Sequence, residues 1–134
     1  MDTIANMFVQ IKNAIRTSQK EIEVPFAKVK LAILEVLKNK GYVESYEEIK
    51  VEEKKYPAGI KIIFKFKENK APALTDIKRI STPGRRVYVG AGKLKTYIRL
   101  GGGADVLVST SSGIMSGRDA RKKGLGGEII GEMK

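Results

Sequence analysis

Residues Ile60-Lys61-Ile62-Ile63-Phe64-Lys65-Phe66-Lys67 are apolar at positions 60, 62, 64 and 66, with lysine at most alternate positions. A two-residue period of this kind is a β-strand with one buried and one solvated face, and the buried face needs a cover. Two stretches of helical period supply it. Ile4, Met7, Phe8, Ile11 and Ile15 share one side of a helix that Asp2 or Thr3 caps, with Arg16 near its end. Val29, Ala32, Ile33, Val36 and Leu37 share one side of a second, from about Ala27 to Lys40, with Gly41 as its left-handed terminator. Glu21-Ile22-Glu23-Val24, stopped by Pro25, is a short strand, and Tyr42 to Ile49 or Val51 is another. Tyr56-Pro57-Ala58-Gly59 makes the turn into the lysine-rich strand. The order helix–strand–helix–strand–strand is a small layered α/β structure.

Lys67-Glu68-Asn69-Lys70-Ala71-Pro72 is polar and carries a proline, which places a boundary between lobes over residues 1–67 and 73–134. Beyond it, Ile77 to Ile80 and Arg86 to Val89 read as a hairpin about the turn Thr82-Pro83-Gly84. Gly90 to Gly103 is glycine-rich, with a weak helical turn around Leu94 and Ile98. Val106 to Ser109 is a buried strand. Ser116 resembles an N-cap with Asp119 three residues on, opening a short helix that Gly124 ends. Glu128 to Ile130 closes the chain as a strand. The fold class is α/β in the broad sense (α+β), with two small lobes, the second mostly β with a short helix.

The 134 residues include no cysteine and no histidine, which removes disulfides, thiolate metal sites, cysteine nucleophiles and the commonest general base. No apolar run is long enough to span a bilayer, and neither amphipathic helix is basic enough to lie on one, so no membrane partner is expected. Net charge is +11, which points to a polyanion. Residues 1–68 carry 13 Lys/Arg against 10 Asp/Glu, or +3, and residues 69–134 carry 13 against 5, or +8. The excess therefore falls in the second half.

That half also holds Ser109-Thr110-Ser111-Ser112-Gly113, a run of small hydroxyl side chains at a strand's end. Gly90-Ala91-Gly92-Lys93-Leu94 fails as a phosphate loop, because Val87 stands where the first glycine belongs and Leu94 follows the lysine. The serines lack a positioned base, so no catalysis is expected; without cysteine, histidine or an Asp-rich loop of calcium-binding spacing no metal is expected, and no cofactor either. RNA fits better. Its duplex shows a wide, shallow minor groove lined by 2′-hydroxyls, which short hydroxyl side chains and bare glycine backbone can approach. Arg85, Arg86, Arg118, Arg121 and Lys122 are placed to meet phosphates, and Tyr88 to stack on a base or ribose. Glu128 either orients the loop or accepts from a base amine; a carboxylate facing RNA is costly unless hydrogen-bonded, which favours the first. Lys12, Lys28 and Lys30 in the first lobe are expected to make weaker RNA contacts. The alternative is a basic protein that coats nucleic acid without choosing a stem.

Ser109-Thr110-x-x-Gly113-Ile114-Met115, with Ala120-Arg121 beyond it, closely resembles the family of the eighth protein of the small ribosomal subunit, in its bacterial or organellar form. The opening Asp2-Thr3-Ile4-Ala5-Asn6-Met7, the stretch Ser81-Thr82-Pro83-Gly84-Arg85-Arg86-Val87-Tyr88 and the ending Gly124-Leu125-Gly126-Gly127-Glu128 are similar to the same family. Ser112 stands where Lys or Gln is more usual, and Asp105 lies in a normally apolar approach to the strand. The resemblance implies direct binding to a stem in the central domain of small-subunit rRNA, early in assembly. It also implies the fifth and twelfth subunit proteins as neighbours and, in some members, repression of the operon's own mRNA. The location it implies is the cytoplasmic ribosome, with an organellar one left open.

Overall fold

The computed structural model describes residues 2–50, 58–100 and 105–134. In order, the elements are α1 (Thr3–Arg16), β1 (Glu21–Pro25), α2 (Lys28–Asn39), β2 (Val43–Ile49), β3 (Gly59–Phe64), β4 (Ile77–Arg79), β5 (Tyr88–Val89), α3 (Ala91–Leu100), β6 (Asp105–Thr110), β7 (Gly113–Ser116), α4 (Gly117–Lys122) and β8 (Gly127–Met133). This is a mixed α+β architecture, the class expected from the sequence. Two compact units divide the chain, Thr3–Thr75 on the one hand and Asp2 with Asp76–Lys134 on the other. The alternative strand end at Val51, the Tyr56-Pro57 half of the expected turn and the Gly101-Gly102-Gly103 run lie outside the described residues. No helix among the described residues is long and apolar enough to cross a membrane.

In the first unit β3 is central, with β1 and β2 antiparallel on either side. Ile60, Ile62 and Phe64 are buried, while Lys61 on the other face reaches Glu21 at 3.3 Å. The strand ends at Phe64, short of the expected Lys67. Pro25 is the last residue of β1, a position where a missing N–H costs little because the strand is at the sheet's edge. Helix α1 buries Met7, Phe8, Ile11 and Ala14, with Ile4 and Ile15 half-buried beside them.

Helix α2 departs from expectation. Its buried residues are Lys30, Ile33, Leu34 and Leu37, and Val29, Ala32 and Val36 are only half-buried. The face is turned because a lysine occupies it: Lys30 is 3% exposed, and its ammonium donates to the Pro25 carbonyl at 2.8 Å. Its methylene stem packs as an apolar chain while one backbone oxygen meets the charge, and burial pulls the ammonium pKa down. Gly41 takes φ +81°, as a helix terminator requires. The polar stretch Lys67–Pro72 folds back on itself inside this unit. Lys67 N–H donates to the Ala71 carbonyl at 2.7 Å, Phe66 bridges to Pro72, and the units divide only after Thr75.

In the second unit β8 is the organising strand. One edge pairs antiparallel with β6, from Asp105↔Met133 to Ser109↔Glu128. The other pairs with β4 (Ile77↔Met133 to Arg79↔Gly131) and then with β5 (Tyr88↔Glu128, Val89↔Gly127). The hairpin expected from 77–80 and 86–89 is thus corrected: its two arms bond to β8 and not to each other. The turn itself is present, with Thr82 and Arg85 exchanging N–H···O bonds of 3.0 Å, as an excursion from one interrupted edge strand. Strand β7, which sequence reading missed, completes a hairpin with β6. Helix α3, expected as a weak turn, runs ten residues.

One face of this sheet packs against α3 and α4 through Val106, Val108, Met115, Ile129, Leu94 and Ala120. Met133 is fully buried, and Lys134 N–H donates to the Asp76 carbonyl at 3.0 Å. Asp105, 7% exposed, accepts the Val106 N–H at 2.8 Å. Ser116 is the N-cap of α4 as expected, its hydroxyl accepting the Asp119 N–H at 3.2 Å. Replacing it by alanine should lower unfolding free energy by about 1 kcal/mol, read as a fall in the urea midpoint at unchanged slope.

Candidate nucleic-acid interface

The hydroxyl run is the β6–β7 hairpin. Thr110 pairs with Gly113, which leaves Ser111 and Ser112 as the two residues of the tip. Among the described residues φ is positive only at Ser18, Lys70 and three glycines, so both tip serines keep ordinary negative φ and Gly113, at +107°, takes up the turn. Thr110 is the internal brace. Its hydroxyl donates to the Gly113 carbonyl at 2.8 Å and accepts the Ser112 N–H at 3.1 Å. The hydroxyls of Ser109, Ser111 and Ser112 have no hydrogen-bond partner among the described residues; Ser111, Ser112 and Gly113 are exposed and Ser109 is half-buried. Four residues of one chemical type therefore divide into one scaffold and three open groups.

Register then builds a row beside the tip. Ser109 lies opposite Glu128, and Glu128 opposite Tyr88. Directly opposed residues point to the same face of an antiparallel sheet, so the three side chains lie side by side across β6, β8 and β5. This is the face away from the Val108–Ile129 core. Tyr88 is 69% exposed. Two glycines allow the strands to close up here. A Cβ at Gly127 would lie 2.0 Å from the Ser109 carbonyl oxygen, and one at Gly126 2.4 Å from that of Val89. Gly127→Ala should destabilise this unit by about 1–3 kcal/mol in urea unfolding and loosen the Ser109–Glu128 pair, seen as faster amide exchange at Glu128.

Glu128 is tied within the protein. Its Oε2 accepts from the Ser81 hydroxyl at 2.5 Å and from the Arg86 guanidinium at 3.0 Å. The Ser81 hydrogen bond holds the carboxyl below the ordinary glutamate range; burial opposes this, and Arg86 reinforces it. Ser81 itself is fully buried and also accepts the Val87 N–H at 3.2 Å. Sequence reading gave Ser81 no role, although it opens the Ser81-Thr82-Pro83-Gly84 motif; burial is what a motif does not display. A depressed carboxyl pKa contributes stability that is fully present above the unfolded value and is lost as pH falls through the folded one. Wild type should therefore out-resist Glu128→Gln in urea at about pH 6, and the two midpoints should converge as pH falls below the ordinary glutamate range and through the folded value.

The cations fall into distinct places. Arg85 sits exposed in the turn after Gly84, while Arg86 is directed at Glu128. Arg118, Arg121 and Lys122 are exposed on α4. With the Gly124–Gly126 link, that helix carries the chain from Ser116, opposite Leu107, back to Gly127 beside Ser109. Lys12 and Lys28 are exposed in the first unit, on α1 and at the start of α2. Lys30, unlike these two, is buried, with its ammonium donating to the Pro25 carbonyl at 2.8 Å.

The model of the family described as Ribosomal protein S8 matches residues 2–133. Curated relatives named "Small ribosomal subunit protein uS8" align over nearly the whole chain. That of Moorella thermoacetica is 41% identical across 96% of this chain and 95% of its own length. That of Dictyoglomus thermophilum is 43% identical across 96% and 94%. That of Acidobacterium capsulatum is 37% identical across 98% and 96%. With an exposed hydroxyl hairpin, a cross-strand polar row and a match from end to end, the chain belongs to the ribosomal protein S8 family.

Proposed function

We propose that this protein is a structural component of the small ribosomal subunit that binds a stem in the central domain of small-subunit rRNA and helps assemble it, without catalysis. The reading rests on the hairpin tip. Ser109, Ser111 and Ser112 present hydroxyls that the protein leaves unpartnered among the described residues, on a turn that Thr110 and Gly113 hold in shape. A hydroxyl gives and takes a hydrogen bond, which matches the 2′-hydroxyls and base edges of a shallow groove, and Gly113 adds no bulk. Tyr88 offers a stacking face, and Arg85, Arg118, Arg121 and Lys122 meet phosphates that orient the protein without reading sequence. Lys12 and Lys28 touch a second RNA segment more weakly. The fifth and twelfth subunit proteins are the expected neighbours, and a messenger hairpin shaped like the stem would fit the same surface.

A nuclease footprint on naked small-subunit rRNA should show one protected stem; protection spread evenly over duplex RNA would instead mark a coating protein. In filter binding, Ser111→Ala should weaken the cognate stem by roughly 1–3 kcal/mol. Arg121→Ala should weaken all duplexes and reduce the salt slope by about one phosphate's worth. Undiminished affinity in Ser111→Ala would remove the hairpin from the centre of recognition.

A further inference from the structure

Resting on this RNA-binding reading, we infer that Arg86 is a positioning residue: together with Ser81 it holds the Glu128 carboxylate, and its charge is matched inside the protein instead of meeting a phosphate. The contrast with its neighbours carries the point. Arg85, Arg118, Arg121 and Lys122 make no side-chain hydrogen bond or ion pair with any described residue, whereas Arg86 donates to Glu128 Oε2 at 3.0 Å. Ser81 approaches the same oxygen from the fully buried side and ties down the Val87 N–H. Ser81 and Val87 are the two ends of the Thr82–Arg86 excursion. One hydroxyl therefore pins the loop's ends together and to β8.

The physical need is plain from the register. Glu128 lies between Ser109 and Tyr88, on the very row that faces RNA. An unmatched carboxylate there would repel phosphates. With the guanidinium on it, the row is neutral, and its members are fixed in the places where Ser109 and Tyr88 work. An ion pair of this kind displaces no counterions from RNA, because it brings no net charge to a phosphate.

The test is the salt dependence of binding between the full-length chain and the rRNA stem, from about 50 to about 200 mM salt. The double variant Arg86→Gln/Glu128→Gln removes both charges with side chains of similar shape. It should bind several-fold more weakly yet keep the wild-type slope. Arg85→Gln, removing a cation aimed outward, should flatten the slope by about 0.9. A loss of about 0.9 in the double variant would mean that Arg86 clamps a phosphate, and overturns the inference. Ser81→Ala, which changes no charge, should also bind several-fold more weakly at unchanged slope; undiminished affinity would overturn its part in the brace. Wild type serves as the control on the underlying reading. If it prefers no stem over bulk duplex, the proposed function falls before any variant is compared, whereas a stem-selective wild type with a flattened double variant sinks only the role of Arg86.

Discussion

The second unit depends on how closely two backbones approach at Gly127. Nothing larger than hydrogen fits between that residue and the Ser109 carbonyl, and the neighbouring Gly126 is as tightly set against Val89 and Ala91. Because β8 can close on β6 and β5 at this point, Ser109, Glu128 and Tyr88 come into one line. Everything that gives the face its chemistry follows from that line. The Ser81 hydroxyl reaches Glu128, Arg86 joins it, and the hairpin tip projects just beyond. A glycine pair that contributes no functional group is therefore the condition for all the groups that do.

The hairpin face separates braced groups from open ones. Thr110 and Gly113 shape the tip, and Ser81 and Arg86 secure the row, while the serine hydroxyls and Tyr88 remain open. Groups held before binding lose less freedom when a partner arrives, so more of each contact appears as affinity. The opposite face of the same sheet is an apolar core under α3 and α4, which anchors the strands against which this row is aligned.

Much of this was legible in the chain, and the misses have physical causes. Periodicity located α1, β3 and the buried strand β6 because one-sided burial writes itself into spacing. The cap at Ser116 was visible because capping is local. The buried face of α2 was misjudged because Lys30 counts as polar by letter yet packs by its stem. The arms about Thr82–Arg85 were paired with each other because the turn is local, whereas their true partner, β8, lies far along the chain, as Ile77↔Met133 and Tyr88↔Glu128 show. The hydroxyl run stood out in the chain, but its division into a hydrogen-bonded Thr110 and three open serines did not. Thr110 and Ser111 differ by one methyl in sequence and by their hydrogen bonds in space. Ser81 escaped for the same reason, since its importance lies in what it touches.

The pairing order of the second sheet bears on when this protein becomes competent. Among the described residues, strands β4 and β5 pair with β8 and no other strand, and β6 draws one of its two edges from it. On a ribosome, synthesis proceeds from the N-terminal end, and units fold as their parts emerge. The Thr3–Thr75 unit has all its strands in hand early. The second unit must wait for β8, so the serine hairpin acquires its aligned row only once residues Gly127–Met133 have left the exit tunnel. Chains interrupted before that point would carry most of the basic charge but not the assembled face, so the row of Ser109, Glu128 and Tyr88 would belong to finished molecules alone.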